Sequence, residues 1–409
     1  MCIRDSGWDH MLKSYYRTTR FMYQPVTFTY NRFTIPNVGV RLKGMSSLNL
    51  DISEHKPPTT FKLGGINLPV PYFLWSQMKK PLKIHFTKYS GREFLGHRSV
   101  GLSNNLLDPS YLRERICFML LKESGLLYCQ TSSVNLTVDG RHLGVFTMVE
   151  NVDKSYIRKH FGSAKGDLYK ANYKTFLEWK GDDSKLYIED KEGRSHQRGM
   201  LDPKLNESGD HGAVIQFINF INNASDEEFR EQIGERFGAE DFIKSVALNN
   251  VTGNIDDYVC WGNNYFLYKK AKKDRWIWIP WDFSTSFCIE TNFNIRDPLD
   301  NHRAKMWPNR RPLFQRLFAI PEYKDAYYRF MREFIAESFH PGILIPKIEQ
   351  MWNDIRDSAR NDVSSLQEYP EFLESVKSEP PFKKLRKMIG VPDGLIIQSL
   401  PYFVRERYR

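Results

Sequence analysis

Residues 254–287, NIDDYVCWGNNYFLYKKAKKDRWIWIPWDFSTSF, decide how the rest of the sequence is read. They follow EDFIKSVALNN (240–250), whose apolar residues recur at helical spacing and which Gly253 terminates. A loop then carries Asp256 and Asp257, followed by the pair Asn263 and Asn264. NNYFLYK and RWIWIPWD, rich in aromatic and β-branched residues, flank the polar KAKKD and predict a β-hairpin with a basic tip. The hairpin runs out into Trp281, Asp282 and Phe283. The order of these parts matters more than any one of them.

Phosphoryl transfer asks a protein for positioned charge rather than covalent chemistry. One carboxylate must orient the attacking hydroxyl and take its proton. A second carboxylate and an amide oxygen must hold the magnesium that bridges the phosphates. In protein kinases the first Asp and the Asn lie on a loop after a helix, and the second Asp opens a DFG triplet after a short hairpin. Asp256 or Asp257, then Asn264, then Asp282 stand in that order, and Asp282-Phe283-Ser284 imitates the triplet. Asp and Asn also serve as ordinary turn and cap residues. It is the ordered set that points to chemistry, and the residues alone leave Asp256 against Asp257 open.

Upstream, residues 23–51 alternate β-branched and polar side chains around Gly39 and Gly44, a strand pattern. Residues 55–76 are rich in Pro and Gly and read as a loop. KPLKIHF (80–86) alternates as a half-buried strand, with Lys83 and His85 on its polar side. Asp108 as N-cap, Pro109 in the first turn and Gly125 beyond the end predict a helix with an apolar stripe of Leu112, Ile116, Met119 and Leu120. SVNLTVDG and RHLGVFTMVE form a hairpin turning at Asp139-Gly140. Residues 7–150 thus read as a β-rich part with one helix, and 151–409 as a mainly helical part. A polar, Gly-rich insertion at about 178–212 interrupts the second part. Further helices follow from Val214, Phe217, Ile218 and Ile221, from the capping box Ser225/Glu228, and from FQRLF, YKDAYYRFMREFI and ILIPKIEQMWNDI.

The chain is globular in composition, 41% hydrophobic, and has no apolar run long enough to cross a membrane as a helix. Its net charge of +10 favours anionic partners, phosphates among them. Nucleic-acid binding would want basic and aromatic residues interleaved on one element, and only RWIWIPW with the preceding lysines comes near. A buried strand with a basic tip explains that segment better, so no nucleic acid is expected. Cys117, Cys129, Cys260 and Cys288 lack zinc-site spacing. Residues 1–6, MCIRDS, translate a common sequencing-library adapter in frame. The expectation is a metagenomic reading frame whose true start lies upstream, so that the missing leader says nothing about compartment.

Several of these stretches resemble the CotH kinases, an atypical protein-kinase-like family named for spore-coat protein H. The likeness covers roughly residues 35–360. It runs through VRLKGMSS (40–47), KKPLKIHF (79–86), LSNNLLDPSYLRERI (102–116), GRHLGVFTMVENVD (140–153), GDLYK (166–170), the loop and hairpin quoted above, and RPLFQRLFAIPEYKDAYYRF (311–330). The resemblance implies an α+β, bilobal protein-kinase-like fold with a β-rich N-lobe and a mainly helical C-lobe. It implies ATP with Mg²⁺ or Mn²⁺, and transfer to Ser or Thr of a secreted, envelope or coat protein, outside the cell or in its envelope. On that pattern the strands with Gly39 and Gly44 cover the nucleotide, Lys83 pairs with its phosphates and Glu114 orients the lysine. Lys170 is the rival lysine, and Glu150 falls on the nucleotide side. Asp256 is preferred to Asp257 as base because relatives place the aspartate two residues after an Asn, as Asn254 stands here. The chain departs from the pattern in lacking GxGxxG and HRD, in having Met45 after Gly44, and in Ser284 where many relatives carry a second Asp. The competing reading is a non-catalytic surface or adhesion protein. Retention of Asp256, Asn264 and Asp282 argues against it.

Overall fold

The computed structural model describes residues 1–4, 22–43, 60–63, 66–69, 79–105, 108–172, 174–188, 201–206, 208–271, 273–287, 310–362, 369–377, 382–383 and 396–409. Gly44, Met45 and Cys288 lie outside these. The fold is mixed α and β.

A closed barrel forms first. Its strands are β1 (Cys2–Arg4), β2 (Gln24–Tyr30), β3 (Phe33–Leu42), β6 (Leu82–His85), β7 (Ser99–Ser103), β8 (Thr131–Val138) and β9 (Arg141–Glu150), in the order β1-β2-β3-β6-β7-β9-β8. The short hairpin β4 (Thr60–Leu63) and β5 (Ile66–Pro69) stands apart, within the stretch expected to be loop. β1 lies in MCIRDS and closes the ring, antiparallel to β2 and parallel to β8, with Ile3 buried. The period-two alternation of these strands has its expected consequence. Val26, Phe28, Val40, Ile84, Val100 and Leu136 are buried, and Phe28, Phe86 and Phe94 meet with ring centroids 5.1 Å apart. The Asp139-Gly140 turn takes φ of 47° and 78°, the conformation such a two-residue hairpin requires.

The second part surrounds a four-stranded sheet, β11-β10-β12-β13, made of β10 (Gly166–Ala171), β11 (Leu201–Leu205), β12 (Tyr265–Lys270) and β13 (Trp276–Pro280). β11 comes from the stretch expected to be a polar insertion, yet Leu201 and Leu205 are buried against the main core. Helices α1 (Arg113–Glu123), α2 (Lys154–Phe161), α3 (Gly212–Asn223), α4 (Asp226–Arg236) and α5 (Ala239–Val251) follow in the chain. They are succeeded by α6 (Tyr258–Trp261), α7 (Pro312–Ala319), α8 (Pro321–Ala336), α9 (Pro341–Arg360), α10 (Tyr369–Glu374) and α11 (Leu400–Tyr408). Phe217, Phe242, Tyr258, Tyr265 and Trp278 join the sheet to these helices. Tyr265 stacks on Trp278 at 4.1 Å, and Phe242 meets it edge-on at 4.7 Å. Such aromatic pairs add about 0.5–1.5 kcal/mol each beyond the area they bury. Among the described residues no helix is long and apolar enough to cross a membrane.

Helix α1 begins later than its sequence signals suggest. Asp108 does not cap it. Its carboxylate instead accepts from the N–H groups of Ser110 and Arg113, while Tyr111 takes φ of 58°, which delays the first helical turn to Arg113. The delay has a purpose in packing. Buried Arg113 donates to the carbonyls of Ser286, Phe287 and Gln398 at 2.7–2.9 Å, tying the helix start to the chain just beyond Asp282.

Candidate active site

Helix α5 ends at Gly253, whose φ of 66° turns the chain out of the helix. Asn254 is stitched back by its N–H to the Asn249 carbonyl (2.9 Å), and its Oδ1 accepts from Thr285 Oγ1 (2.9 Å). The N–H of Phe287 reaches the Thr252 carbonyl. The loop after α5 and the segment after the hairpin are thereby held side by side.

The two adjacent aspartates part company here. Asp257 is buried and is the N-cap of α6: Oδ1 accepts from the Cys260 N–H (2.9 Å) and Oδ2 from Asn249 Nδ2 (3.1 Å). Asp256 is half-buried, and its Oδ1 accepts from Asn263 Nδ2 at 2.8 Å. Asn264 donates from Nδ2 to the Asp256 carbonyl (2.6 Å). Its own carbonyl accepts from the Trp281 N–H (3.0 Å), and this bond closes the open end of the β12–β13 hairpin. Asp282 is the next residue. Asn264 and Asp282 both occupy the left-handed region, φ 58° and 55°, which Asn and Asp tolerate better than other side chains. Left-handed backbone at two adjoining non-glycine positions is strain of the kind that gathers at functional sites. Ser284 gives both its N–H (3.2 Å) and Oγ (2.7 Å) to Asp282 Oδ1, leaving Oδ2 for other work.

The charges at the site act on one another. Burial pushes the Asp256 carboxyl up to about 6, with Asp282 adding to the rise and Asn263 and Asn264 opposing it. Glu114, buried on α1 next to Arg113, is pushed up to about 8, first by burial and then by Asp282, against the pull of Lys43 and a hydrogen bond from Ser103. Its Oε2 has no hydrogen-bond partner among the described residues. The barrel carries a polar face of its own. Cross-strand partners share a face, and the pairs Arg41–Lys83, Lys83–Gly101, Gly39–His85 and His85–Ser99 run across β3, β6 and β7. Burial lowers Lys83 to about 7, helped by Arg41 and Lys204 and resisted by Asp153. Lys170, on β10, falls to about 8 for the same first reason, with Lys204 adding to the fall and Asp202 and Asp282 resisting it.

Of the residues singled out in the sequence, Asp256, Asn264, Asp282, Glu114 and Lys170 act on one another, and Lys83 lies on β6 of the barrel. Glu150 is used elsewhere: both its oxygens take Lys159 Nζ at 2.7 Å, and Oε1 lies 3.4 Å from His97 Nδ1. Gly44 lies outside the described residues. Asn263 and Lys43 are the residues the sequence reading passed over. Asn263 was in plain view beside Asn264. Lys43 becomes visible only once strand register puts it next to the barrel's basic face. Aspartate, asparagine amide and a second aspartate form an oxygen donor set suited to a hard cation such as Mg²⁺.

The family model described as CotH kinase protein matches residues 75–389. The inner spore coat protein H of Bacillus subtilis (strain 168) is 22% identical over 356 residues, 84% of this chain and 95% of that protein. Invasin CotH2 of Rhizopus delemar is 20% identical over 303 residues, 69% of this chain but 48% of the invasin, so the chain spans about half of that relative. Among solved structures, the HipA–HipB–operator complex of Shewanella oneidensis MR-1 overlaps 68% of this chain and 60% of its counterpart at 13% identity and a TM-score of 0.25. The Helicobacter pylori proinflammatory kinase CtkA overlaps 71% and 94% at 10% identity and the same score. Superpositions this loose carry no argument. The family match spans most of the sequence and includes the whole loop and hairpin, and the chain therefore belongs to the CotH kinase protein family.

Proposed function

We propose that this protein transfers the γ-phosphoryl group of ATP, with Mg²⁺ or Mn²⁺, to Ser or Thr of a secreted, envelope or coat protein. The observation that carries the reading is the convergence of Asp256, Asn264 and Asp282 through the Asn264–Asp256 and Trp281–Asn264 hydrogen bonds. A dead scaffold has no use for an asparagine and an aspartate held on left-handed backbone beside a second aspartate. In this reading the barrel is the nucleotide-covering lobe and the helical part the substrate-side lobe. The names of the relatives, a spore coat protein and an invasin, favour a coat or surface setting.

Each residue has a stated task. Asn263 fixes one oxygen of Asp256, so that the other is presented to the incoming hydroxyl, which Asp256 orients and whose proton it accepts. Asn264 Oδ1 and Asp282 Oδ2 would hold the metal, and Ser284 keeps the Asp282 carboxylate from rotating. The ion, when bound, neutralises charge on the phosphates. The basic face of the barrel draws the polyphosphate toward these groups.

Titration calorimetry with ATP in magnesium tests the metal assignment. Asp282→Ala should bind at least about tenfold more weakly than wild type, a loss of one charge-assisted ligand, while keeping its circular dichroism spectrum. Unchanged affinity in magnesium would remove Asp282 from the site.

A further inference from the structure

The connection from β6 to β7 holds a leucine that its own conformation disfavours. Phe94 and His97 exchange both backbone hydrogen bonds, at 3.0 and 2.9 Å, around a two-residue turn of Leu95 and Gly96 with φ of 50° and 79°. A turn with both central residues left-handed favours Asn-Gly, and a bulky apolar side chain at the first position is an outlier. Leu177 shows what sustains such a leucine elsewhere: at φ 61° it is buried in the main core. Leu95 has no such support, being 71% exposed. Strain that packing does not offset points to a residue kept for a contact outside the chain. Leu95 also has company. The ring of Phe94 meets Phe28 and Phe86 at 5.1 Å and Tyr30 at 5.5 Å. Tyr30 is the register partner of Phe33, which opens β3 and is 53% exposed, and cross-strand partners share a face. The barrel's aromatic cluster thus ends in two exposed apolar side chains on neighbouring turns. The charge beside them is basic. Arg32 and Arg92 are exposed, and the Arg32 guanidinium lies 6.0 Å from the Phe33 ring. Glu93 is paired with exposed Arg158 of α2 at 3.6 Å. Phe33 stands roughly 25 Å along β3 from Arg41, by the rise of a strand, so the patch is separate from the candidate active site.

We propose that this end of the barrel is a membrane-docking surface: Leu95 and Phe33 enter the headgroup layer of an anionic bilayer, and Arg32, Arg92 and Arg158 meet its charge. The shape of the patch selects the occupant. Its apolar side chains project from turns rather than line a groove, so they offer a partner helix no seat, and the strands pair in a closed barrel with no edge for an added strand. A bilayer needs neither. It takes up protruding apolar side chains without matched shape, and its anionic headgroups attract the adjacent positive charge. Two apolar side chains and three arginines make a weak, reversible anchor, comparable to a single acyl chain and far from a membrane-spanning helix. The surface stands independently of the phosphotransferase reading and goes beyond it.

The test is cosedimentation with vesicles of phosphatidylcholine alone and of phosphatidylcholine and phosphatidylglycerol in equal parts. Wild type should partition to the anionic vesicles, less to the neutral ones, and should be released as salt rises. Leu95→Asn and Phe33→Thr should each weaken that partition about tenfold. A variant carrying both Arg32→Gln and Arg92→Gln should lose about tenfold or more, on anionic vesicles only. Leu95→Asn is the decisive variant because Asn suits the turn: its melting temperature should equal or exceed that of wild type while vesicle binding falls. A lower melting temperature would show that the leucine is kept to stabilise the barrel, and would overturn the proposal. Wild type left in the supernatant with both kinds of vesicle, or variants that sediment as wild type does, overturn it too. So does self-association of wild type in sedimentation velocity that Leu95→Asn abolishes, since the patch would then join two copies of the chain.

Discussion

Asp256 and Asp257 are neighbours with different hydrogen-bond partners, a distinction the residues alone left open. Both oxygens of Asp257 are spoken for within the protein, whereas Asp256 has one oxygen fixed by Asn263. Glu114 shows the same logic for burial. Burial pushes its carboxyl up from 4.5 to about 8, so folding favours its neutral form. The stability this contributes is full below about pH 4.5 and is lost as pH rises through about 8, where the folded protein must bury a charge that the unfolded chain leaves in water. Glu114→Gln mimics the neutral form. In metal-free buffer its urea midpoint should match wild type near pH 5 and exceed it increasingly toward pH 9. A difference that does not vary with pH would mean that Glu114 is not desolvated in the way described.

At the scale of elements, the acidic loop depends on α6, a single turn that could not persist alone. Its cap is Asp257, and its end is Gly262 in the left-handed conformation at φ 62°. Asp257→Ala removes the cap and strands the Asn249 amide, a combined loss of about 2 kcal/mol. Thermal melting should register that loss while turnover per folded molecule stays near wild type. A collapse of turnover at full folding would return Asp257 to the catalytic role. Most elements here were legible from periodicity and punctuation: the Asp139-Gly140 hairpin, the Ser225 cap of α4, the Gly253 stop and the β12–β13 hairpin all stand as read. The start of α1 was not, because Asp108 and Pro109 are equally good signals for a capped turn. Nor was β11, whose Leu201 and Leu205 sit in a polar stretch with too few apolar neighbours to show alternation.

At the scale of the molecule, what sequence could not reveal is pairing between distant parts. Lys79 and Asp362 form a buried ion pair at 2.6 Å, and Asp362 also accepts from the Val145 N–H at 2.9 Å. Gly144, at φ 84°, leaves the space its carboxylate fills: a Cβ there would lie 2.1 Å from Asp362 Cγ. Arg113 likewise joins α1 to the segment after Asp282 and to the chain before α11. These long-range contacts join distant parts of the chain, and neither partner of any pair announces the other. The loop and hairpin were the readable part because their chemistry is local. The account as a whole stands on Asp256 as the residue that orients the attacking hydroxyl. The most direct measurement takes one preparation each of wild type and Asp256→Asn, and records Mg·ATP affinity and the initial rate of phosphate transfer to a Ser/Thr-containing protein. The account predicts affinity within a few-fold and a rate at least about a hundredfold lower, the lower end of what a positioned acid–base group contributes. Equal rates from the two proteins would contradict it.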